Sequence, residues 1–178
     1  MSREVFLRKV LINSHSFYNH LFVPDGFIGP IFWYALFGPL GALGYRIVNT
    51  LDSRVGYRGK YEYFGKASAR VDDLLNLLPA RITALFLALA AVFVKGCSGR
   101  GGIEIAILDR RQCESPNAGW PMGCMAGLLG VRLEKKAAYC LGNGAQPTPQ
   151  KLRLGCRVAQ IAGGFGLGFL IVILHLLK

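Results

Sequence analysis

The sequence predicts an all-α integral membrane protein with about three transmembrane helices and a long polar loop between the second and the third. Of its 178 residues, 52% are hydrophobic and 17% are charged, whereas an average soluble domain carries about 25% charged residues. Mean hydropathy is +0.36. The apolar residues are concentrated in three stretches, at 27–51, 74–94 and 158–177. Each approaches the length of about 20 residues that a helix needs to cross a bilayer.

The first stretch, residues 27–51, predicts a broken or kinked span. Pro30 and Pro39 interrupt it, and Arg46 lies near its end. A proline removes a backbone hydrogen-bond donor, and lipid cannot replace the lost bond.

The second and third stretches are more regular. Residues 74–94 qualify as a span if Asn76 and Arg81 lie at the membrane interface, and their strongest part, 82–94, carries no charge. Residues 158–177 are uncharged except for His175. We therefore expect residues 1–178 to form one multi-pass domain in the cell (inner) membrane. The lipid bilayer is thus an expected partner.

The segments between the spans are polar. Residues 95–157 carry ten basic and four acidic side chains, and residues 52–73 carry five and four. Cytoplasmic loops are enriched in Lys and Arg, so this bias places the longer loop in the cytoplasm. A re-entrant first or second segment is the open alternative, because it would bring both polar connections to one side. Within the long loop, residues 103–108 are consistent with a short strand and residues 122–133 with a helix.

The net charge of +11 indicates an anionic partner or surface. The basic residues form no run of five or more and are spread through loops and beside apolar stretches. This distribution favours membrane flanks and anionic ligands, and no nucleic-acid partner is expected.

The five cysteines contain no Cys-x-x-Cys pair, so neither a disulfide framework nor a zinc ribbon is indicated. The N-terminus lacks the features of a secretory signal.

One polar cluster surrounds the connection between the first two apolar stretches. Its carboxylates suit Mg²⁺, which prefers oxygen ligands, and its arginines suit phosphate oxygens. Asp72 and Asn76 are four residues apart on a predicted helix and share a face, as do Arg70 and Asp73. Helix capping and interfacial ion pairing remain an equal alternative for this cluster. Its members are Arg46, Asn49, Thr50, Asp52, Tyr57, Arg70, Asp72, Asp73, Asn76 and Arg81.

A second constellation is the segment Ser-Pro-Asn-Ala-Gly-Trp-Pro at 115–121. The two prolines restrict the backbone and present Asn117 and Trp120 toward a site. On spacing alone, a tight loop with an aromatic interface anchor is the favoured interpretation.

Three blocks of sequence together resemble one family. They are PIFWYALFGPLGALGYRIVNTLDSRVGY (30–57), FGKASARVDDLLNLLPARITAL (64–85) and SPNAGWPMGCMAGLLGVRLEKKAAYCLG (115–142). In this order and spacing they resemble the membrane-bound CobD/CbiB proteins of cobalamin biosynthesis, the adenosylcobinamide-phosphate synthases.

The resemblance implies an ATP-dependent condensation that joins the carboxylate of adenosylcobyric acid to aminopropanol or its phosphate. ATP and Mg²⁺ are the implied cofactors, and the corrinoid and the amine are the substrates. Asp52, Asp72, Asp73 and Arg81 are the expected catalytic residues, and the same three carboxylates are the expected magnesium ligands. The expected substrate- and phosphate-binding residues are Arg46, Asn49, Thr50, Tyr57, Arg70, Asn76, Asn117 and Trp120.

This chain departs from the family pattern in two ways. Family members are nearly twice as long, and the absent part corresponds to their N-terminal membrane half. The family also shows a Glu-Asn pair shortly before the position of Asp25, where this chain reads NHLFVPDG (19–26). Expected partners therefore include a separate N-terminal half or other membrane proteins of the pathway. The alternatives are a non-catalytic membrane subunit or remnant of the enzyme and, less favoured, a small transporter.

Overall fold

The computed structural model describes residues 24–55, 62–135 and 138–176. Within these ranges the chain forms six α-helices and one short hairpin, which confirms the predicted all-α class. The helices are α1 (Gly29–Val55), α2 (Glu62–Leu75), α3 (Leu77–Ala91), α4 (Gly99–Asp109), α5 (Gly119–Leu129) and α6 (Pro149–Leu176). The strands are β1 (Leu133–Lys135) and β2 (Tyr139–Leu141), a π-helical turn (Pro24–Ile28) precedes α1, and a 3₁₀ turn (Arg110–Gln112) follows α4.

The predicted break in the first apolar stretch is confirmed within α1. Gly38 has φ 65° and ψ −155°, a backbone conformation that is open almost only to glycine. Pro39 follows it and has no N–H to donate to the preceding turn. The two residues together kink the helix.

The second apolar stretch is also broken, at Asn76 between α2 and α3. The two helices meet at an angle of 48°. Pro79 explains the position of the bend, because its missing N–H leaves the carbonyl of Leu75 without an intrahelical partner. The indole nitrogen of Trp33, on α1, donates to that carbonyl oxygen at 3.2 Å. A side chain from α1 therefore satisfies a backbone group that the bend exposes.

The long loop contains the most deeply buried helix in the described part of the chain. In α5, Cys124, Ala126 and Leu129 are fully buried, and the helix packs against α3 and α4. The predicted helix at 122–133 therefore begins and ends slightly earlier, at Gly119–Leu129.

The strand expected at residues 103–108 is wrong, because these residues belong to α4. Ser98 caps that helix by accepting a hydrogen bond from the backbone N–H of Gly101 at 3.1 Å. Gly102 and Ala106, four residues apart, form the buried face, while Ile107 and Leu108 remain exposed. The buried face of α4 consists of small residues and its exposed face carries large apolar ones. The large apolar residues therefore do not mark the buried face of the helix in the sequence.

The remaining elements complete the core beside α5. In the hairpin, Leu133 pairs with Leu141 and Lys135 with Tyr139. The last helix, α6, contacts α1, α3 and α5. It begins nine residues before the predicted start at 158, so the basic residues that precede the apolar run are themselves helical.

Among the described residues, two helices are long and apolar enough to cross a membrane, Gly26–Arg54 and Pro149–Leu176. The number of candidate spans rises to three if the bent pair Gly65–Leu75 and Leu77–Ala91 is counted as one span. Large apolar side chains on these helices face outward, including Leu40 at 79% and Leu176 at 76% exposure. An outward apolar surface of this kind is what lipid covers. The count agrees with the prediction of about three spans, and the bend leaves the re-entrant alternative open.

Candidate functional site

A chain of amide and carboxylate side chains links α1 to the bend between α2 and α3. The hydroxyl of Tyr45 donates to Oδ1 of Asn76 at 2.8 Å, and both residues are buried. The amide of Asn76 donates to Oδ2 of Asp72 at 2.9 Å, while the amide of Asn49 donates to Oδ1 at 3.3 Å. Both carboxylate oxygens of Asp72 therefore accept an amide hydrogen bond, and the predicted pairing of Asp72 with Asn76 is confirmed.

The adjacent carboxylate, Asp73, connects the bend to the segment at 115–121. The hydroxyl of Ser115 donates to Oδ1 of Asp73 at 2.8 Å, and the amide of Asn117 donates to the Asp73 carbonyl oxygen at 2.6 Å. These contacts join residues that are 42 and 44 positions apart in the sequence. The two constellations identified in the sequence therefore form one site.

The side-chain oxygen of Asn117 lacks a hydrogen-bond donor among the described residues. The residue itself is only 5% exposed. A buried acceptor without a donor costs free energy, about 1–3 kcal/mol.

The three aspartates do not form a single ligand set. Asp52 is partly exposed and experiences the charges of Asp72 and Asp73. Within residues 24–55, 62–135 and 138–176, however, no group of three His, Cys, Asp or Glu side chains is arranged to hold a metal ion. Amides and a hydroxyl already contact the carboxylates of Asp72 and Asp73. The assignment of Mg²⁺ to these residues stays a prediction.

Two arginines meet at Trp120. The guanidinium carbon of Arg81 lies 5.1 Å from the centre of the indole ring, and that of Arg110 lies 5.2 Å from it. Both distances are within the range of a cation–π interaction. Gly119 makes this possible, because a side chain there would overlap the backbone carbonyl of Arg110. The start of α5 is thus held directly against the end of α4.

These side chains open onto a cavity of about 310 Å³. It is lined by Arg81, Arg110, Arg111, Cys113, Glu114, Pro116 and Trp120. Three cations and one carboxylate leave the lining with a net positive charge. Arginines present several fixed donors in one plane, which suits phosphate and carboxylate oxygens. Burial raises the pKa of the Cys113 thiol to about 11, so this thiol is protonated at neutral pH and is a weak nucleophile.

The other predicted site residues lie at the edge of this region or outside the described residues. Thr50 donates to the carbonyl oxygen of Arg46 at 2.7 Å, a bond within one helical turn. Arg46, Thr50 and Arg70 are exposed. Tyr57 lies outside the described residues.

Sequence reasoning missed Arg110, Arg111 and Tyr45. The Arg110-Arg111 pair stands only four positions before Ser115, and that proximity was a usable signal. Tyr45 precedes Asn49 by one helical turn on α1 and so faces the same direction, but it was interpreted as part of an apolar run.

Comparisons with known proteins identify the family of this chain. The profile of the CobD/Cbib protein family matches residues 23–162, which include both constellations. A relative from Dehalococcoides mccartyi, named cobalamin biosynthesis protein CobD, is 46% identical over 142 residues, covering 79% of this chain and 46% of the relative.

Two further relatives are similar to a comparable degree. One from Geobacter metallireducens with the same name is 48% identical over 125 residues, covering 70% of this chain and 39% of the relative. A probable cobalamin biosynthesis protein CobD from Aeropyrum pernix is 47% identical over 126 residues, with the same two coverages. No solved structure matches the chain.

The chain spans less than half the length of each of these curated relatives. The family profile nevertheless covers more than three quarters of the chain, from the residue before the π-helical turn to the middle of α6. On this similarity, the chain belongs to the CobD/CbiB family.

Proposed function

We propose that this chain acts in cobalamin biosynthesis as the phosphate- and substrate-binding part of a membrane ligase. The reaction is the ATP-dependent condensation of adenosylcobyric acid with aminopropanol or its phosphate to give adenosylcobinamide or adenosylcobinamide phosphate. Family membership supports the pathway. The convergence of Arg81 and Arg110 on Trp120 is the structural observation that supports the chemistry.

The cavity at Trp120 suits the charges of such a reaction. Joining a carboxylate to an amine at the expense of ATP requires a site for phosphate oxygens and for negative charge that develops on the activated carboxyl group. Arg81 and Arg110 would bind those oxygens, with Arg111 as a third cation at the rim. The indole of Trp120 would fix the two guanidinium groups before the ligand arrives.

The carboxylates would act on the amine. The substrate amine is protonated at neutral pH, and its ammonium group must lose a proton before the nitrogen lone pair can attack a carbonyl carbon. A nearby carboxylate can accept that proton. Asp52 would take this role, while Asp72 and Asp73, whose carboxylates already accept side-chain hydrogen bonds, would position the bend. Asn117 would hold the 115–121 segment against α2 through its hydrogen bond to the Asp73 carbonyl oxygen.

Complementation tests this proposal. A strain that lacks the synthase should recover cobalamin synthesis when this chain is expressed, either alone or together with the N-terminal half of a relative. Arg81→Gln and Trp120→Leu should abolish the recovery, whereas Trp120→Phe should retain part of it because phenylalanine keeps an aromatic face. Arg132→Gln is the matched control, since Arg132 is exposed and pairs with Glu134 away from the cavity.

A second candidate is a non-catalytic membrane subunit of the same pathway, which is compatible with the lack of a three-ligand metal group among the described residues. It predicts that Arg81→Gln and Asp52→Asn leave the phenotype unchanged while the protein remains inserted. Failure of the unaltered chain to restore synthesis in either setting, despite correct insertion, would count against the ligase.

A further inference from the structure

A second cavity lies away from the site at Trp120. It has a volume of about 540 Å³ and lies between the segment after α3 and the first half of α6. Phe93, Val94, Leu154 and Ile161 form its apolar wall, and Lys95, Arg157 and Gln160 supply its polar groups. Its lining contains two cations and no acidic side chain.

The position of this cavity coincides with two abrupt changes in the sequence. The apolar run 82–94 ends directly before Lys95, and the apolar run 158–174 begins directly after Arg157. The fold places these two boundaries side by side. For helices that enter a bilayer, the change from apolar to basic marks the level of the lipid headgroups.

The surroundings of the cavity are consistent with that level. Val92 and Phe93 are 76% and 71% exposed, so both present apolar surface outside the core. The first turns of α6 add Lys151 and Arg153, and no acidic residue lies in its first turn. An apolar surface thus continues directly into a basic rim.

We propose that this cavity binds an anionic phospholipid. The headgroup phosphate would contact Lys95 and Arg157, Gln160 would donate to a headgroup oxygen, and an acyl chain would lie along Phe93 and Ile161. A soluble anion would leave the apolar wall exposed. A zwitterionic lipid such as phosphatidylcholine would bring a phosphate but would also place its own ammonium group beside Lys95 and Arg157. Charge complementarity therefore favours a lipid such as phosphatidylglycerol.

This site is separate from the proposed ligase site. Arg81 lies near the start of α3 and Lys95 lies beyond its end, so the two cavities lie at opposite ends of that helix. Lipid binding at Lys95 can therefore fail or succeed independently of catalysis.

Lipid retention by the full chain tests the proposal. The protein would be placed in nanodiscs of phosphatidylcholine mixed with an equal amount of phosphatidylglycerol, extracted into detergent and analysed by native mass spectrometry for retained lipid. We expect retained phosphatidylglycerol to exceed phosphatidylcholine. Lys95→Gln with Arg157→Gln should reduce that preference by up to about thirtyfold, the order of effect that two juxtamembrane cations exert on anionic lipid.

Arg54→Gln with Lys135→Gln is the matched control, because it removes two exposed positive charges that do not line the cavity. This control should keep the preference. A photoactivatable phosphatidylglycerol should label the unaltered chain within residues 93–95 or 154–161, and this measurement does not depend on any variant folding.

Three outcomes would overturn the proposal. One is equal retention of the two lipids by the unaltered chain. Another is labelling confined to other segments. The third is displacement of bound phosphatidylglycerol by inorganic phosphate alone, which would show that the cavity selects free phosphate over lipid.

Discussion

Tyr45 anchors the amide–carboxylate chain at its buried end. Its hydroxyl is the donor to Asn76, whose own amide then holds Asp72. We expect Tyr45→Phe to destabilise the protein by about 1–3 kcal/mol, because it leaves a buried acceptor unsatisfied. Thermal unfolding in detergent, followed by circular dichroism, would measure this effect.

Tyr34→Phe is the control for that substitution, since Tyr34 lies on the same helix and is 36% exposed. It should change the unfolding temperature little. Equal effects of the two substitutions would show that the Tyr45 hydrogen bond contributes nothing specific.

The Cys113 thiol provides a chemical measure of burial in the Trp120 cavity. Burial raises its pKa from the ordinary value of 9.0 to about 11. The folded state therefore favours the protonated thiol, and this contribution to stability is present below pH 9.0 and is lost as the pH rises toward 11. Because the thiolate is the reactive form, alkylation of Cys113 by iodoacetamide should still be rising over this pH interval in folded protein.

In denatured protein the same reaction should level off near the ordinary thiol pKa. Peptide mapping by mass spectrometry separates Cys113 from the other four cysteines. Identical pH profiles for folded and denatured protein would mean that Cys113 is not buried.

At the scale of the helices, the bend between α2 and α3 organises the site. It turns the carbonyl groups of Asp73 and Leu75 toward other elements, where Asn117 and Trp33 donate to them. A straight helix would hold the Asp73 carbonyl in its own hydrogen-bond ladder, and it would hold the Leu75 carbonyl there only if residue 79 were not proline. The bend is therefore what joins α1, α2 and the 115–121 segment.

A double-mutant cycle tests the role of Trp33 in this bend. Trp33→Phe should cost about 1–3 kcal/mol of unfolding free energy, because it removes the donor to the Leu75 carbonyl. In a Pro79→Ala background the cost should fall below about 1 kcal/mol, since the backbone N–H that this substitution introduces can then donate to the same oxygen. Additive effects of the two substitutions would contradict this explanation.

At the scale of the whole molecule, the outward apolar side chains require a bilayer. We expect the chain to stay in the membrane pellet after an alkaline carbonate wash, a treatment that removes peripheral proteins. A soluble domain of similar size that is fused to no membrane segment would serve as the control. Complete release of the chain into the supernatant would contradict the membrane assignment.

The sequence predicted the parts of this fold that depend on neighbours along the chain. The three apolar stretches, the kink near Pro39 and the pairing of Asp72 with Asn76 all follow from local composition and helical spacing. These features involve residues within about one or two turns of each other.

The features that depend on tertiary packing were not predictable in the same way. The contacts of Asp73 with Ser115 and of Arg81 with Trp120 join residues about 40 positions apart. The placement of Arg110 depends on α4, which was mistaken for a strand because its small residues face inward. The repeat of apolar and polar residues within a short segment does not indicate which loop residue contacts which helix.

Gly119 has an evolutionary consequence for this family member. Any side chain at that position would push the start of α5 away from Arg110, and the indole that follows would move with it. Gly119 is thus a position where the cavity depends on a residue that carries no side chain. A homologue with even an alanine there would need a different arrangement of Arg110 and the indole, so the identity of this position should report which members retain the same architecture.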